Sequence, residues 1–221
     1  MGHLALPTQG LALDHAKESD AQRIADIHMS AFGANYMLLA QFPTPSVREG
    51  LRKCLVEKVI EEIRDPKWAI LVVRDGQKRP ISFAKWCLPI YLSENYEEPP
   101  WQWPEGTDIG ILNEWSARVD DVGRKVIGDT PCYRLSFMAT DPQYERCGAA
   151  SLLVKWGLEL CNKDKVPAVL EGTMNAVPFY QRHGFIDEGE ISMNLEGVGP
   201  KGESVLYEER SFIFRPSSTA N

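Results

Sequence analysis

One stretch constrains the fold of this chain more than any other. It lies at residues 140–151, where a strand-like run passes into a helical pattern through a cluster of small side chains. Residues 133–139 are rich in large apolar side chains and predict a buried strand, whereas residues 151–160 predict an amphipathic helix. Gly148 and two alanines stand where the helix begins. Backbone N–H groups at such a start can close on an anion, and the helix dipole favours negative charge there, so the stretch predicts a phosphate cradle.

A second pattern follows at residues 175–185, which predict a short helix ending at Gly184 and then a strand. Together the two stretches resemble the GNAT (Gcn5-related) acyl-CoA N-acyltransferase family. That family has a pyrophosphate motif Gln/Arg-x-x-Gly-x-Gly/Ala and a later helix that closes on Tyr-x-x-x-Gly-Phe. This chain has Glu-Arg-Cys-Gly-Ala-Ala at 145–150 and Tyr-Gln-Arg-His-Gly-Phe at 180–185. The resemblance is sharpest over residues 133–190.

The remaining patterns predict an element order that agrees with this resemblance. The N-terminal half predicts a strand at 11–13, a helix at about 19–32, a longer helix from Ser46 to 63, and a hairpin of strands 68–73 and 80–87. The resemblance implies an α/β (α+β) fold with a mixed, mostly antiparallel central sheet, splayed central strands and helices on both faces.

The length of 221 residues suits a single GNAT-like domain over residues 1–221. Within it we expect an insertion at about 88–130. Its first part, residues 88–105, mixes proline, tryptophan and tyrosine with glutamate, and a helix is predicted over 113–126. Long ordered loops are often lids or binding loops, and the alternative is a loosely packed insertion. A closing hairpin is predicted between 185–195 and 205–214, and its last strand pairs either across a dimer edge or within a monomer.

The composition excludes several classes of function. The net charge is −7 and the pI near 5.2, so no nucleic-acid partner is expected. No apolar run approaches the ~20 residues that cross a bilayer, and residues 1–7 lack the basic region and apolar core of a signal peptide. We therefore predict a cytoplasmic protein without a membrane partner. The five cysteines match neither a zinc site nor a disulfide scaffold, so we predict reduced thiols and no metal.

The resemblance implies how acetyl-CoA would bind. Backbone N–H groups of the small-residue turn would hold the pyrophosphate, and main-chain groups of the preceding strand would bond to the pantetheine arm. The implied cofactor-binding residues are Met138, Ala139, Thr140, Arg146, Cys147, Gly148, Ala149, Ala150, Ser151 and Asn175. Glu145 stands where the family usually has Gln or Arg, which weakens diphosphate binding unless the side chain turns away or pairs with Arg146. The alternatives are an ordinary helix start after a tight turn, and for Asn175 a helix cap.

Tyr180 is the implied general acid. A phenol with a pKa of ~10 can give a proton to the departing thiolate. The alternatives are an aromatic side chain packed on the sheet or a simple CoA contact. A backbone N–H of Ala139 or a neighbour is the expected oxyanion donor.

The general base has several candidates. Glu171, at the end of a predicted strand, is the first choice, and its alternative is a structural carboxylate. Glu114, Asp108 and the acidic loop at 94–98 are the others. The mechanism would be direct attack in a ternary complex, because no Cys-His or Ser-His pairing is evident.

We predict transfer of an acetyl group from acetyl-CoA to the primary amine of a small molecule. The aromatic and acidic loop favours an acceptor with an apolar body and a cationic amine. The segment at 140–148 looks like fungal small-molecule members of the family. The alternatives are a protein N-terminal or lysine acetyltransferase, a CoA-binding module without turnover, and a structural protein on the same fold. The protein is expected to be a monomer or a homodimer.

Overall fold

The structure is a computed structural model that describes residues 10–91 and 93–217. The interpretation of residues 1–7 lies outside this part of the chain. Within it are seven strands: β1 (Ala12–His15), β2 (Trp68–Arg74), β3 (Pro80–Cys87), β4 (Tyr133–Thr140), β5 (Ala168–Thr173), β6 (Ile186–Leu195) and β7 (Val205–Phe214). The α-helices there are α1 (Ala21–Phe32), α2 (Tyr36–Gln41), α3 (Pro45–Arg64), α4 (Ile109–Val126), α5 (Ala149–Asp164) and α6 (Val177–Arg182).

The strands form one sheet in the order β1-β2-β3-β4-β5-β7-β6. Every neighbouring pair is antiparallel except β4 and β5, which are parallel. The predicted mixed, mostly antiparallel sheet is confirmed. The closing hairpin is also as predicted, but β7 inserts between β5 and β6. Both edges of β7 are therefore occupied within the monomer, and the alternative that this strand pairs across a dimer is wrong.

The helices cover both faces of the sheet, and the strand alternation sorts the core between them. Leu71 and Val73 pack in the cluster that includes the apolar side of α5. Ile70 and Val72 pack with α1 and α3 on the opposite face. Successive residues of a strand point to opposite faces, so one continuous apolar run in β2 supplies both layers.

The central strands separate after a short parallel ladder. β4 and β5 pair only at Tyr133 with Ala168 and Arg134 with Val169. Beyond Arg134, β4 continues alone against β3, while β5 continues against β7. The predicted splay is therefore present, and it leaves the β5-facing edge of β4 without a strand partner.

A β-bulge in β4 adds to this opening. The register with β3 shifts between Lys85 and Trp86, which pair with Phe137 and Leu135. Leu135 belongs to the cluster under α5, whereas Ala139 belongs to the cluster under α1 and α3. An extra residue in a strand reverses which face the following side chains occupy, so the bulge turns the second half of β4 toward α1.

Helix α3 differs at its start from the sequence prediction. The cap is Thr44 rather than Ser46, because the Thr44 hydroxyl accepts a hydrogen bond from the Val47 N–H at 3.2 Å. Pro45 takes the first helical position, where its missing N–H costs nothing. Helix α2, only six residues long, was not predicted.

Helix α4 begins earlier than predicted, at Ile109 rather than residue 113. The carboxylate of Asp108 accepts a hydrogen bond from the Ile111 N–H at 3.0 Å and caps the helix. The predicted insertion is therefore a loop up to Asp108, then α4. Each helix of the described chain is too short or too polar to span a bilayer.

Candidate active site

A cavity of about 390 Å³ lies where β4 and β5 part. Helices α1, α2, α3 and α4 and the loop after β3 enclose it on one face of the sheet. One end of the cavity is apolar and aromatic, and it is lined by Phe32, Leu38, Phe42, Leu51, Leu55, Trp101, Trp103, Trp115 and Phe137. The other end is polar and ionisable, and it is lined by Glu171, Tyr180, Tyr207 and Glu209. The splay thus brings an apolar chamber against ionisable groups on β5, β7 and α6.

Tyr180 is fixed by aromatic packing. Its ring contacts those of Phe179, Phe185 and Phe212 with centroid separations of 5.3, 5.8 and 5.5 Å. The ring also lies against Gly172 of β5, where an added Cβ would stand 2.8 Å from Tyr180 Cε2. The absence of a side chain at position 172 is what lets the ring reach the gap.

The hydroxyl of Tyr180 is available for chemistry. It makes no hydrogen bond with any described residue, although the side chain is buried. Burial raises the pKa of this phenol, and the nearby charge of Glu209 raises it further. Tyr180 is therefore protonated at neutral pH and suited to donate a proton rather than to accept one.

Glu171 lies at the point where β5 leaves β4. Its Oε2 accepts a hydrogen bond from Arg134 Nη1 at 2.8 Å, which makes a half-buried ion pair. Its Oε1 is sealed from solvent and accepts no hydrogen bond from the described residues. Glu171 lines the cavity wall, but the oxygen that remains without a partner is not open to it.

Glu209, which the sequence analysis missed, is the second carboxylate of the cavity. It pairs with Thr173 across the β5–β7 ladder, so it shares a face with Glu171 two residues away. The Tyr207 hydroxyl donates to Glu209 Oε1 at 2.5 Å, and Asn35 Nδ2 donates to the Tyr207 oxygen at 3.0 Å. Burial raises the pKa of Glu209 to about 7, against the hydrogen bond from Tyr207, which lowers it.

A signal for Glu209 was present in the sequence. Tyr207, Glu209 and Ser211 alternate along the last strand, which places a glutamate on the face that carries two other inward side chains. What the sequence did not show is that this strand lies beside β5, and hence beside Glu171.

The other predicted base candidates are engaged elsewhere. Glu114 pairs with Arg118 at 2.6 Å on the exposed side of α4. Asp108 caps that helix. In the acidic loop, Glu94 pairs with Lys67.

His28 of α1 lines the aromatic end of the cavity. Burial lowers its pKa to about 3, and the positive charge of Lys85 contributes in the same direction. The imidazole is therefore neutral at physiological pH, packed between Phe32 and Phe137. His28 is therefore a packed residue of α1 rather than a base.

On the edge of β4 without a strand partner, the free backbone groups are mainly those of Met138 and Thr140. The Asp141 N–H bonds to the Ile81 carbonyl at 2.8 Å, so strand alternation points the backbone groups of Ala139 toward β3 as well. The Ala139 carbonyl also accepts from Ser82 Oγ at 2.8 Å. The backbone groups of Met138 and Thr140 point into the gap. We therefore expect the oxyanion donor of this strand at Met138 or Thr140 rather than at Ala139.

The turn into α5 has an unusual backbone. Arg146 and Gly148 both have positive φ, 62° and 92°, and the Cys147 side chain between them is buried in the core. Gly148 is the N-cap, a left-handed position that favours glycine. The first-turn N–H groups of Ala149, Ala150 and Ser151 have no helical partner, so the turn offers bare donors to an anion.

The polar side chains around this turn do not pair with one another within the described chain. Glu145 and Arg146 are exposed and make no ion pair among the described residues. The Ser151 hydroxyl lies 3.2 Å from His183 Nε2, which joins the start of α5 to the end of α6. Asn175 is exposed in a 3-10 turn, and the cap of α6 is Ala176. The alternative in which Asn175 caps that helix is therefore wrong.

The two halves of the site lie on opposite faces of the sheet. Gly172 and the Tyr180 ring are on the face that α5 covers. Glu171 is next to Gly172 on β5 and therefore points to the other face, where Glu209 also lies. The gap between β4 and β5 connects them, so one reactant can arrive along α5 and the other through the aromatic chamber.

Residues 120–196 match the family model of the acetyltransferase (GNAT) domain. The match begins within α4 and ends just after β6, so it includes the parting strands, the turn into α5 and Tyr180. A search of curated proteins finds no match.

Solved structures share this fold over nearly the whole chain. "Histone acetyltransferase HPA2 and related acetyltransferase" from Corynebacterium glutamicum is 20% identical with a TM-score of 0.63, covering 96% of this chain and 100% of that one. An agmatine N-acetyltransferase in its apo form is 14% identical with a TM-score of 0.63, covering 94% and 100%. The paia N-acetyltransferase from Thermoplasma acidophilum, in complex with coenzyme A, is 10% identical with a TM-score of 0.55, covering 94% and 99%.

The domain match and these neighbours support an acetyl-CoA-dependent N-acetyltransferase. Within the described residues, no three His, Cys, Asp or Glu side chains gather as metal ligands would. The likeness to fungal members and the cytoplasmic location stay predictions.

Proposed function

We propose that the acceptor of this acetyltransferase is a small molecule with an apolar body and a primary amine. The observation that carries the proposal is the cavity at the splay, with aromatic walls at one end and two carboxylates beside Tyr180 at the other. Aromatic surface binds an apolar body, and carboxylates attract an ammonium group. The agmatine N-acetyltransferase among the neighbours supports a small cationic acceptor on this fold.

The cofactor half fits acetyl-CoA. The free edge of β4 at Met138 and Thr140 leads directly to the turn at Gly148 and the bare N–H groups that follow. Exposure of Glu145 lets its carboxylate turn away from a diphosphate. We propose that the cofactor is held by the residues expected from the sequence, except Ala139, whose backbone groups face β3. These residues are Met138, Thr140, Arg146, Cys147, Gly148, Ala149, Ala150, Ser151 and Asn175.

Acetyl-CoA supplies an acetyl group activated as a thioester. The amine attacks its carbonyl carbon directly, because no Cys or Ser among the described residues of the cavity wall hydrogen-bonds to a basic side chain. A cavity carboxylate takes a proton from the ammonium so that the amine can attack, and Tyr180 gives its hydroxyl proton to the sulfur as the C–S bond breaks. An N–H of β4 in the gap stabilises the negative charge on the carbonyl oxygen. Glu171 remains a candidate for the base.

The aromatic loop favours a small acceptor over a protein. Trp101 and Trp103 stack with ring centroids 4.8 Å apart, and Trp103 packs on Phe42. Lys58 of α3 fastens this loop by donating to the Pro99 carbonyl at 2.8 Å. The loop therefore lies over the chamber where a peptide would need an open groove.

The test is a thiol-release assay with acetyl-CoA against four amine classes: aryl-alkylamines, polyamines including agmatine, amino acids, and peptides with free N-termini or lysines. We expect turnover on aryl-alkylamines at the highest kcat/KM. Turnover confined to peptides would contradict the small-molecule proposal and favour the protein acetyltransferase. CoA binding without turnover on any amine would favour a binding module.

A further inference from the structure

The carboxylate of Glu209 has no cationic partner in the part of the chain that the structure describes. The buried carboxylates Asp20, Glu62 and Asp141 each pair with an arginine or lysine: Arg74 at 2.7 Å, Lys85 at 2.6 Å, and Arg23. Glu209 makes no ion pair among the described residues, although it is half-buried on a central strand. A carboxylate removed from water without a cation is costly, so such a group either carries a proton or faces a cation that the ligand brings.

The hydrogen bonds around Glu209 leave one oxygen for a ligand. Tyr207 occupies Oε1, and Tyr207 is itself held by Asn35 and by the edge of the Trp115 ring, at a centroid separation of 5.2 Å. Oε2 makes no hydrogen bond within the described chain and, unlike Glu171 Oε1, is not sealed from solvent. Glu209 therefore presents an open, oriented oxygen to the cavity.

We propose that Glu209 accepts the proton of the acceptor amine and is oriented by Tyr207 and Asn35, while Glu171 compensates the charge of Arg134 beside the site. This inference rests on the proposed function. Glu209 is the catalytic residue, because its open oxygen meets the amine. Tyr207 and Asn35 are positioning residues.

The protons balance over one turnover. The ammonium loses one proton to Glu209 Oε2 before attack. Its second proton leaves the nitrogen as the amide forms and restores the hydroxyl of Tyr180, which has given its own proton to the sulfur. Glu209 then returns its proton to solvent, so each turnover releases one proton.

The groups that face Glu209 determine how it titrates. Besides Tyr207, the ionisable groups coupled to it are Glu171 from β5, which is itself paired with Arg134 on β4, and Tyr180 from α6. From β6 the neighbour is the apolar Ile191. Burial and Glu171 raise the pKa to about 7, and the Tyr207 hydrogen bond lowers it. The ionised carboxylate of Glu209, which can accept a proton, thus becomes populated near neutral pH, where a proton acceptor works best.

The experiment compares pH profiles of kcat/KM for wild type, Glu209→Gln, Glu171→Gln and Tyr207→Phe, with 2-phenylethylamine as acceptor. We expect kcat/KM of the wild type to rise with pH through about pH 7, and we call this rise the limb of the profile. Glu209→Gln should lower kcat by roughly 10²- to 10⁴-fold and abolish the limb. Glu171→Gln should raise KM and keep the limb. Tyr207→Phe should move the limb to higher pH, because the lost hydrogen bond favoured the ionised form.

The matched control is Glu208→Gln, whose side chain lies on the opposite face of β7. It should leave rate and profile unchanged. If Glu209→Gln keeps the limb while Glu171→Gln removes it, Glu171 is the base and our assignment is overturned, with the proposed function intact. Thermal melting and CoA affinity show whether each variant is folded.

A second measurement needs no turnover. In protein labelled with ¹³C at the glutamate carboxyls, the Glu209 signal, assigned with Glu209→Gln, should titrate near pH 7. The titration should move to lower pH when 2-phenylethylamine binds, because the ammonium favours the carboxylate. Such a shift in a protein that turns over no amine would sink the proposed function but keep the cation site. A titration that 2-phenylethylamine leaves unmoved would overturn the inference about Glu209.

Discussion

At the scale of single residues, the site depends on groups that contribute no charge as much as on those that do. Tyr180 reaches the gap because residue 172 is glycine, and Gly148 permits the left-handed turn before α5. Tyr180 and Glu171 were predictable, since one lies in a local motif and the other ends a recognisable strand. The position of Glu209 beside Glu171 was not, because it depends on the long-range pairing of β7 with β5.

Gly172→Ala tests how closely Tyr180 is placed. The added methyl would stand 2.8 Å from the Tyr180 ring, so the ring must move. We expect kcat to fall by about 10²-fold, because misplacement of about 1 Å carries that cost, while CoA affinity changes little. The matched control is Gly76→Ala, where an added Cβ meets nothing within 4 Å. Equal effects of both substitutions on kcat would contradict this account of Tyr180.

Glu209 also predicts a pH dependence of stability. Its pKa is raised on folding, from 4.5 to about 7, so the folded state favours the protonated form. This contribution is fully present below pH 4.5 and is lost as the pH rises through about 7. Relative to Glu209→Gln, we expect wild type to lose on the order of 2–3 kcal/mol in unfolding free energy between pH 4.5 and 8. Urea titrations at several pH values measure this difference, and parallel curves for the two proteins would rule it out.

At the scale of elements, the loop after β3 is held by charges beneath it. Lys58 Nζ lies 3.1 Å from Glu98 Oε1 and 5.4 Å from the centre of the Trp101 ring. Lys85, paired with Glu62, lies under the same ring at 5.4 Å. The sequence indicated a lid or a loose insertion. It did not show the buried lysines that fasten the loop, since they come from α3 and β3.

Lys58→Met should loosen this loop without disturbing the cofactor half. The methionine keeps the apolar stem but loses the hydrogen bond to Pro99 and the ion pair with Glu98. We expect KM for the amine to rise about tenfold at nearly constant CoA affinity, because only the acceptor chamber includes the loop. Steady-state kinetics on both substrates checks this, with the exposed Lys53→Met of the same helix as the control. A rise in the CoA dissociation constant instead would place the loop on the cofactor side.

At the scale of the whole molecule, the splay makes one sheet serve two ligands. The strong patterns predicted the strands and the longer helices, because alternation and helical spacing are local. The six-residue α2 and the true starts of α3 and α4 were missed, because caps such as Thr44 and Asp108 are identified only by their hydrogen bonds. The insertion of β7 between β5 and β6 is a long-range pairing that no local pattern indicates. A single domain over residues 1–221 stays a prediction.

The central claim is that this gap joins acetyl-CoA to an amine with Tyr180 as the acid. The most direct measurement is a single-turnover reaction of saturating acetyl-CoA with 2-phenylethylamine, with the acetylated product followed by mass spectrometry. We predict product in wild type, and a rate about 10²- to 10⁴-fold lower in Tyr180→Phe with unchanged CoA affinity. The exposed Tyr91→Phe should match wild type. Equal rates in Tyr180→Phe and wild type would contradict the claim.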